Sequence, residues 1–194
     1  MEHQELTNGL HIDPTLYTGR PASTEGRLPR EIRTYDLLDS LSIPYSRLDH
    51  DATATIEICE GVDRLLGIHI CKNLFLCNAQ KTNFYLLLMP GRKKFKTKNL
   101  SKQIQSARLS FGDDAHMEEF LGLAPGSVSV LGLANDTENR VRLLIDADVL
   151  KDEYMGCHPC ANTSSLKIKT ADILEKFLPA VHHEYSVVEL PWEE

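Results

Sequence analysis

The sequence predicts an α+β fold, in which helices flank a mixed, largely antiparallel and barrel-like sheet. Three observations lead to this prediction. Short apolar runs of strand length are separated by polar turns, as at residues 74–76 and 84–89. Longer stretches carry apolar residues at helical spacing and fall between these runs. The two kinds of element follow one another in a mixed order, which is typical of α+β proteins.

The length and composition are those of an ordinary globular protein. The 194 residues suffice for one domain with a sizeable core or for a domain with a tail, and 42% of them are hydrophobic. No apolar run approaches the roughly 20 residues of a membrane helix, and residues 1–5 lack the order of a signal peptide. A cytoplasmic protein without membrane contact is therefore expected. The net charge of −7 opposes binding along the length of a nucleic acid such as DNA. It does not exclude that a local basic patch binds one end of a nucleic acid.

The N-terminal third of the chain is predicted to hold an extension and two helices. Residues 1–29 show no clear hydrophobic period and are interpreted as a loosely attached extension, with the domain over residues 30–194. A helix is predicted over residues 30–41, followed by a short strand over residues 45–50. Thr55 is in position to cap a second helix. The apolar stripe of that helix consists of Ile58, Val62, Leu65 and Leu66.

The centre of the chain is predicted to contain two neighbouring strands and two short helices. The strands cover residues 74–76 and 84–89, because both runs are apolar and a polar turn separates them. The helices cover residues 99–106 and 114–121. In the second helix the apolar side chains fall on one face, which is expected to pack inward.

The C-terminal part is predicted to be rich in strands. An apolar run predicts a strand over residues 127–133, and the polar residues 135–139 are typical of a hairpin turn before a strand over residues 141–146. A further strand is predicted over residues 165–169. After a last helix, a closing strand is predicted over residues 185–190.

Two basic features are candidates for contact with an anion. Lys72 and Asn73 stand directly before the first central strand, and a lysine there can present a point charge to a phosphate or carboxylate. The same lysine can be a solvated residue that discourages edge-to-edge aggregation. Five of the seven residues from Arg92 to Lys98 are basic, although the chain is acidic overall. This segment is either a phosphate-backbone patch or a solvated loop.

The five cysteines are expected to be reduced thiols, because their number is odd and no export signal is found. Cys157 and Cys160 flank His158, but zinc needs four ligands and the chain has no second CxxC pair. No metal ion or cofactor is therefore expected. A nucleophilic pair of Cys71 and His158 is formally possible without a local signature. His158 precedes Pro159, which suits a rigidly positioned hydrogen-bonding group.

Five further stretches carry a resemblance, each of them weak alone but specific in this order and spacing. They are residues 71–76 (CKNLFL), 106–112 (SARLSFG), 121–129 (LGLAPGSVS), 132–136 (GLAND) and 158–162 (HPCAN). Together they closely resemble the prolyl-tRNA synthetase-associated editing domain, the YbaK-like family. Within that family the chain is most similar to the free-standing Ala-tRNA(Pro) deacylases of the ProXp-ala type. The resemblance covers about residues 30–190.

The resemblance implies hydrolysis of the ester that joins alanine to the acceptor end of tRNA(Pro), and a functional link to prolyl-tRNA synthetase. Lys72 matches a lysine that holds a phosphate near the terminal adenosine, and His158 matches a histidine that contacts the aminoacyl end. These two are the expected catalytic residues. The expected substrate-binding residues are Asn73, Gly126, Ser127, Gly156, Pro159 and Asn162. The family is described as metal-free with help from the 2′-hydroxyl of the tRNA, so no general base is assigned.

The chain departs from the family pattern near the histidine. Two residues separate Gly156 from Pro159, where the synthetase-inserted form has three, and Cys157 and Cys160 flank His158. The amino acid removed therefore stays open between alanine, cysteine and another small residue. An alternative of another class is a non-catalytic regulator that binds aminoacyl-tRNA.

Overall fold

The computed structural model describes residues 11–52, 56–69 and 71–193. The strands are β1 (Tyr17–Thr18), β2 (Tyr45–Asp49), β3 (Cys71–Asn78), β4 (Phe84–Pro90), β5 (Leu109–Phe111), β6 (Val141–Asp146), β7 (Tyr154–Cys157), β8 (Ser164–Lys169) and β9 (Tyr185–Val188). The α-helices are α1 (Pro29–Ser40), α2 (Ile56–Leu66), α3 (Thr97–Gln103) and α4 (Asp114–Leu121), with 3-10 helices at Val130–Asn135 and Val149–Lys151. A last helical segment over residues 170–180 is α-helical at both ends and π-helical at Ile173–Phe177. No helix in these three ranges is long and apolar enough to cross a membrane.

The strands form two sheets. One has the order β1-β2-β8-β7 and is antiparallel throughout. The other has the order β5-β3-β4-β6-β9; β3 pairs antiparallel with β4 and β5, whereas β6 pairs in parallel with β4 and β9. The predicted α+β class with a mixed, largely antiparallel arrangement is confirmed. The predicted barrel-like closure is wrong, because the two sheets remain separate over the described residues.

The main hydrophobic core contains residues of both sheets, and a smaller apolar layer covers the other face of each. Phe75 of β3 belongs to the main core, whereas its neighbour Leu76 belongs to the layer shared with Leu100 of α3. Leu48 of β2 packs in the second outer layer with Val62 of α2. This follows from the strand period of two, which points successive side chains to opposite faces. Full burial of such a side chain contributes about 1.5–3 kcal/mol.

The strand predicted over residues 127–133 is wrong. Val130–Asn135 form a 3-10 helix instead, and the Ser129 hydroxyl caps it by accepting a hydrogen bond from the Leu131 amide at 3.2 Å. The apolar side chains of this turn are buried, and a short apolar run does not distinguish a buried strand from a buried helix. The predicted hairpin is therefore wrong too, since β6 pairs in parallel with its neighbours.

The N-terminal extension is bound to the domain over its described part, residues 11–29. β1 pairs with β2, and Ile12 forms an antiparallel bridge with His50. The Arg27 guanidinium donates to Asp49 Oδ2 at 3.0 Å. This segment is therefore not loosely attached, while the predicted domain boundary stays a prediction.

Helix α2 packs on the outer face of the four-stranded sheet. Val62 and Leu66 are buried as predicted, whereas Leu65 is 44% exposed, so the apolar stripe is narrower than predicted. The predicted cap Thr55 and the side chain of Ile58 lie outside the described residues.

Candidate active site

A pocket of about 80 Å³ lies where α2, the start of β3 and the end of β7 meet. Its polar lining comprises Asp63, Asn73, His158 and Ser165. The remaining lining comprises Val62, Leu66, Ile68, Gly156 and three cysteines, Cys59, Cys71 and Cys157. The volume is well below the ~300–1,000 Å³ of pockets that hold drug-sized ligands. The pocket therefore suits a chemical group of amino-acid size.

The pocket brings together three of the eight predicted site residues, Asn73, Gly156 and His158. The other five do not line it. They are Lys72, Gly126, Ser127, Pro159 and Asn162. Lys72 lies on the other face of β3, and the remaining four belong to two loops that pack beside the pocket.

Lys72 and Asn73 are separated by the alternation of β3. Asn73 lines the pocket, whereas Lys72 Nζ donates to the backbone carbonyl oxygen of Lys93 at 2.7 Å. Lys72 is half-buried, and burial lowers the pKa of its ammonium group. Over the described ranges no carboxylate lies within ion-pair distance of it. Lys72 is therefore a partly desolvated cation without a counter-charge among the described residues.

Lys93, by contrast, is fully paired. It is only 2% exposed, and its Nζ lies 2.9 Å from Asp146 Oδ2, 2.7 Å from Asp148 Oδ2 and 2.7 Å from the Leu190 carbonyl oxygen. Burial lowers the pKa of Lys93, but the hydrogen bonds to Asp148 and Asp146 outweigh it and hold that pKa above its ordinary value. We call Lys93, Asp146 and Asp148 the Lys93 cluster. The basic segment that holds Lys93 is thus partly structural, and its contact with nucleic acid stays a prediction.

Asn73 presents an unsatisfied acceptor. Its Nδ2 donates to the Cys71 carbonyl oxygen at 3.3 Å, which fixes the orientation of the amide. Its Oδ1 is buried and has no hydrogen-bond partner among the described residues. A buried acceptor left unpaired costs about 1–3 kcal/mol. A donor supplied by a bound molecule would remove this cost.

His158 is held as a neutral imidazole. Its Nδ1 donates to the Ser164 carbonyl oxygen at 2.8 Å, because a carbonyl can only accept. Burial lowers the pKa of His158, which favours the neutral ring. Its backbone carbonyl oxygen accepts from the Ser129 hydroxyl at 2.7 Å. Nε2 has no hydrogen-bond partner in the described part of the chain and keeps a free lone pair.

A second histidine fixes the hydroxyl of Ser165. His50 Nδ1 donates to the Asp51 carbonyl oxygen at 2.7 Å, so its Nε2 accepts from the Ser165 hydroxyl at 2.8 Å. Burial lowers the pKa of His50, in agreement with the neutral ring. The rings of His50 and His158 lie edge to face at 6.2 Å. The Ser165 proton is engaged, and its oxygen remains free to accept.

Gly126, Ser127, Pro159 and Asn162 belong to two loops that pack on each other. Gly126 has φ +83°, which favours glycine, and a Cβ there would lie 3.4 Å from Asn162 Nδ2. The Ser127 hydroxyl closes the first loop by donating to the Ala124 carbonyl oxygen at 2.7 Å, and Pro159 is buried in the second. These residues hold the loop of His158 in place.

Gly156 lies in β7, one residue before the end of that strand. A Cβ at this position would overlap Cδ1 of Ile68, which lines the pocket opposite it. The glycine therefore lets Ile68 approach the strand. This contact sets one dimension of the pocket.

The three thiols of the pocket are protonated at neutral pH. Burial raises the pKa of Cys71 to about 12 and also raises the pKa values of Cys157 and Cys59. Because the thiolate is the nucleophilic form, a thiol mechanism is not supported. No group of three or more metal-ligating side chains is arranged to hold a metal ion within the residues that the structure describes.

Asp63 is a pocket residue that sequence reasoning missed. The pKa of its carboxyl group is raised to about 7, mainly by burial, while His69 lowers this pKa and Glu60 raises it. The carboxyl group has no hydrogen-bond or ion-pair partner among the described residues. The signal in the sequence is its position three residues before Leu66, which places an acid beside the apolar face of α2.

Residues 50–176 match the model of the aminoacyl-tRNA editing domain family, which is more than half of the chain. The chain belongs to the aminoacyl-tRNA editing domain family. The predicted resemblance to YbaK-like prolyl-tRNA editing proteins is thereby confirmed. Its activity is that of an aminoacyl-tRNA deacylase, an ester hydrolase. The matched range contains the pocket and every predicted site residue.

Relatives of this editing-domain chain cover most of its length. It is 32% identical to the prolyl-tRNA editing protein ProX of Acetoanaerobium sticklandii over 153 residues, which are 79% of this chain and 93% of that protein. It is 27% identical to the prolyl-tRNA synthetase associated domain-containing protein 1 of Danio rerio, over 94% of this chain and 96% of that protein. Its fold resembles the crystal structure of a candidate trans-editing enzyme for prolyl tRNA synthetase, with a TM-score of 0.61 and 12% identity over 84% of this chain and 99% of that one. At this identity the last likeness shows the fold alone.

Proposed function

We propose that this editing-domain protein acts in trans on mischarged tRNA(Pro) and removes a small amino acid, alanine before others. The observation that carries the proposal is a pocket of about 80 Å³ that holds two unused acceptors, Asn73 Oδ1 and His158 Nε2. The choice of tRNA(Pro) and the link to prolyl-tRNA synthetase rest on the names of the relatives. A cytoplasmic location stays a prediction.

The reaction needs an activated oxygen and a place for the aminoacyl ester. Water attacks the ester carbonyl carbon, the carbon–oxygen bond to the ribose breaks, and the ribose oxygen takes up a proton. His158 Nε2 accepts a hydrogen bond from the attacking water or from the ribose 2′-hydroxyl. A neutral histidine suits this role, because only the neutral ring has a free lone pair.

Lys72 is proposed to hold a phosphate of the terminal adenosine. Its ammonium group uses one of three donors, on the Lys93 carbonyl oxygen, and has no carboxylate partner over the described ranges. A phosphate would supply the missing counter-charge. Because Lys72 lies on the other face of β3 from Asn73, the substrate would pass the start of this strand with the phosphate on one side and the aminoacyl group on the other.

Selection by size follows from the walls of the pocket. Ile68 packs against Gly156 and narrows the space for the amino-acid side chain. Exclusion of the larger proline is effective, whereas attraction of one extra methylene contributes only ~1–3 kcal/mol. Alanine and cysteine are both smaller than proline, so size alone favours either of them.

The test is release of labelled amino acid from Ala-tRNA(Pro), Cys-tRNA(Pro) and Pro-tRNA(Pro) by purified protein in the presence of a chelator. The proposal expects rapid loss of alanine and an intact prolyl ester. Faster release of cysteine than of alanine would identify Cys-tRNA(Pro) as the preferred substrate. Binding of all three tRNAs without hydrolysis would contradict the proposed reaction and favour a non-catalytic regulator that binds aminoacyl-tRNA.

A further inference from the structure

The described polar side chains of the pocket mainly offer acceptors. Asn73 presents Oδ1, since its Nδ2 is engaged. His158 presents the lone pair of Nε2, since Nδ1 carries the proton. Ser165 presents its oxygen, since its proton is engaged by His50. Asp63 adds a carboxyl group without a partner among the described residues. Such a lining recognises a group that is rich in hydrogen-bond donors and carries a positive charge.

Among the described residues that line the pocket, Asp63 is the one with a carboxyl group. It lies four residues after Cys59 and three before Leu66 on α2, and all three line the pocket, so they share one helix face. Among the described residues, the titratable groups around it include Cys59, Glu60 and Arg64 on α2, His69 after it, Cys71 on β3, and Cys157 and His158 on the β7 side. The thiols and His158 are neutral, as shown above.

We propose that Asp63 binds the α-ammonium group of the aminoacyl ester, with Asn73 Oδ1 as a second acceptor. The proposal rests on the proposed function and deepens it. An α-ammonium has three donors and one positive charge, which match the two acceptors and the one negative charge. Binding would also relieve two unfavourable features of the free protein, the unpaired Asn73 oxygen and the desolvated carboxyl group.

Two other roles for Asp63 make different predictions. A surface carboxylate without a role would resemble Glu60, which is exposed on the same helix and does not line the pocket. A general base would accelerate hydrolysis of any ester in the site, whether or not the substrate carries an amine. Only an ammonium-binding residue distinguishes substrates by the charge on that amine.

The experiment compares alanyl-tRNA(Pro) with lactyl-tRNA(Pro), in which an uncharged hydroxyl of similar size replaces the ammonium. Each kcat/KM is divided by the rate of spontaneous hydrolysis of the same ester at the same pH. Wild-type protein is expected to prefer the alanyl ester by roughly 10- to 100-fold, the range of a charge-assisted hydrogen bond. Asp63→Asn is expected to lose this preference, Asp63→Glu to recover part of it, and Glu60→Gln to keep it.

The pH profile gives an independent readout. Burial raises the pKa of Asp63 to about 7. The normalised kcat/KM for the alanyl ester is therefore expected to rise with pH through that region as the carboxylate forms. Asp63→Asn should lack this limb, and so should wild-type protein acting on the lactyl ester.

The outcomes separate the two proposals. If Asp63→Asn loses kcat/KM equally on both esters, ammonium binding is wrong and Asp63 acts as a base. If Asp63→Asn keeps the preference for the alanyl ester, Asp63 has no role in recognition. The deacylase function stands in both cases. If wild-type protein hydrolyses neither ester, the proposed function fails and the assignment of Asp63 fails with it.

Discussion

The pocket and the Lys93 cluster lie on opposite faces of the strand pair β3–β4. They differ in whether their polar groups have hydrogen-bond or ion-pair partners. In the cluster, one buried lysine meets two carboxylates and a carbonyl oxygen within 2.9 Å. In the pocket, Asp63 has no partner among the described residues, Asn73 Oδ1 is orphaned, and His158 keeps a free lone pair. Lys72 stands between the two, with a single hydrogen bond to the backbone of Lys93.

The difference shows which polar groups serve the fold and which await a substrate. A fully paired buried charge does no chemistry, because every donor and acceptor is engaged. Unpaired buried polar groups destabilise the free protein. They are retained where a bound ligand supplies the missing hydrogen-bond or ion-pair partner. Four predictions follow from this difference, ordered from the largest expected effect to the smallest.

Lys93→Met should produce the largest loss of stability. The change leaves Asp146 buried without its cation, and breaking a buried ion pair in this way costs about 3–5 kcal/mol. Urea denaturation would measure the free energy of unfolding. Lys94→Met is the matched control, since Lys94 is exposed in the same segment and should change stability by less than about 0.5 kcal/mol. A loss below about 1 kcal/mol for Lys93→Met would show that the cluster is not structural.

Gly156→Ala should damage the pocket by overpacking. The added Cβ would overlap Ile68 Cδ1, and overpacking of this kind costs about 1–3 kcal/mol of stability. Deacylation should fall with it, because the two residues set the size of the pocket. Ile68→Val removes the Cδ1 atom, so the double variant Gly156→Ala/Ile68→Val should regain stability and activity. Additive losses in this double-mutant cycle would speak against the contact.

Lys72→Met should weaken tRNA binding and leave the fold nearly intact. If Lys72 neutralises one phosphate, the slope of log K against log salt should become shallower by about 0.7–0.9. Lys72→Arg keeps the charge and should keep the slope. The free energy of unfolding should change by less than about 1.5 kcal/mol, because one hydrogen bond to a carbonyl is lost. An unchanged slope in Lys72→Met would exclude a phosphate contact.

Asp63→Asn should slightly stabilise the free protein. The pKa of Asp63 is raised from 3.8 to about 7, so the native state binds a proton that the unfolded state has released, and wild-type stability falls as pH rises from about 4 to about 7. Asp63→Asn has no titrating carboxyl group at this position and therefore does not lose this stability as the pH rises. Its midpoint of thermal unfolding at pH 8 should exceed that of wild-type protein by about 2–4 °C, with a smaller difference at pH 5. A lower midpoint at pH 8 would show that the carboxylate is satisfied.

Local patterns predicted several elements well. Helix α4 and strand β6 have the predicted bounds, and β3 and β4 pair as expected, because each has a clear period or an apolar run between polar turns. The apolar run at residues 127–133 predicts a strand, but residues 130–133 are buried in a 3-10 helix, and a short apolar run does not distinguish the two. Strand β7 is not predicted, because Gly156 and Cys157 carry no strand pattern.

The candidate site was predicted less completely, because its groups come together only through the topology. Asn73 and His158 were chosen from the resemblance, and the fold places both at one pocket. The separation of Lys72 from Asn73 follows from the strand period, which required the strand to begin at Cys71. The carboxylate partners of Lys93 lie more than 50 residues away in sequence, and no local pattern connects them. Asp63 carries no motif and is recognisable only once α2 and β3 lie side by side.

Single-turnover deacylation of Ala-tRNA(Pro) by His158→Asn tests the proposed role of His158 in the reaction. The asparagine amide can replace Nδ1 as donor to the Ser164 carbonyl oxygen, but it has nothing in place of Nε2. We expect the rate to fall about 100-fold, the lower range for loss of a group that accepts or donates a proton in the reaction, with little change in the free energy of unfolding. His158→Gln, whose oxygen can approach the position of Nε2, should recover part of the rate. Wild-type rates in His158→Asn would contradict the claim that the free lone pair of this pocket serves the reaction.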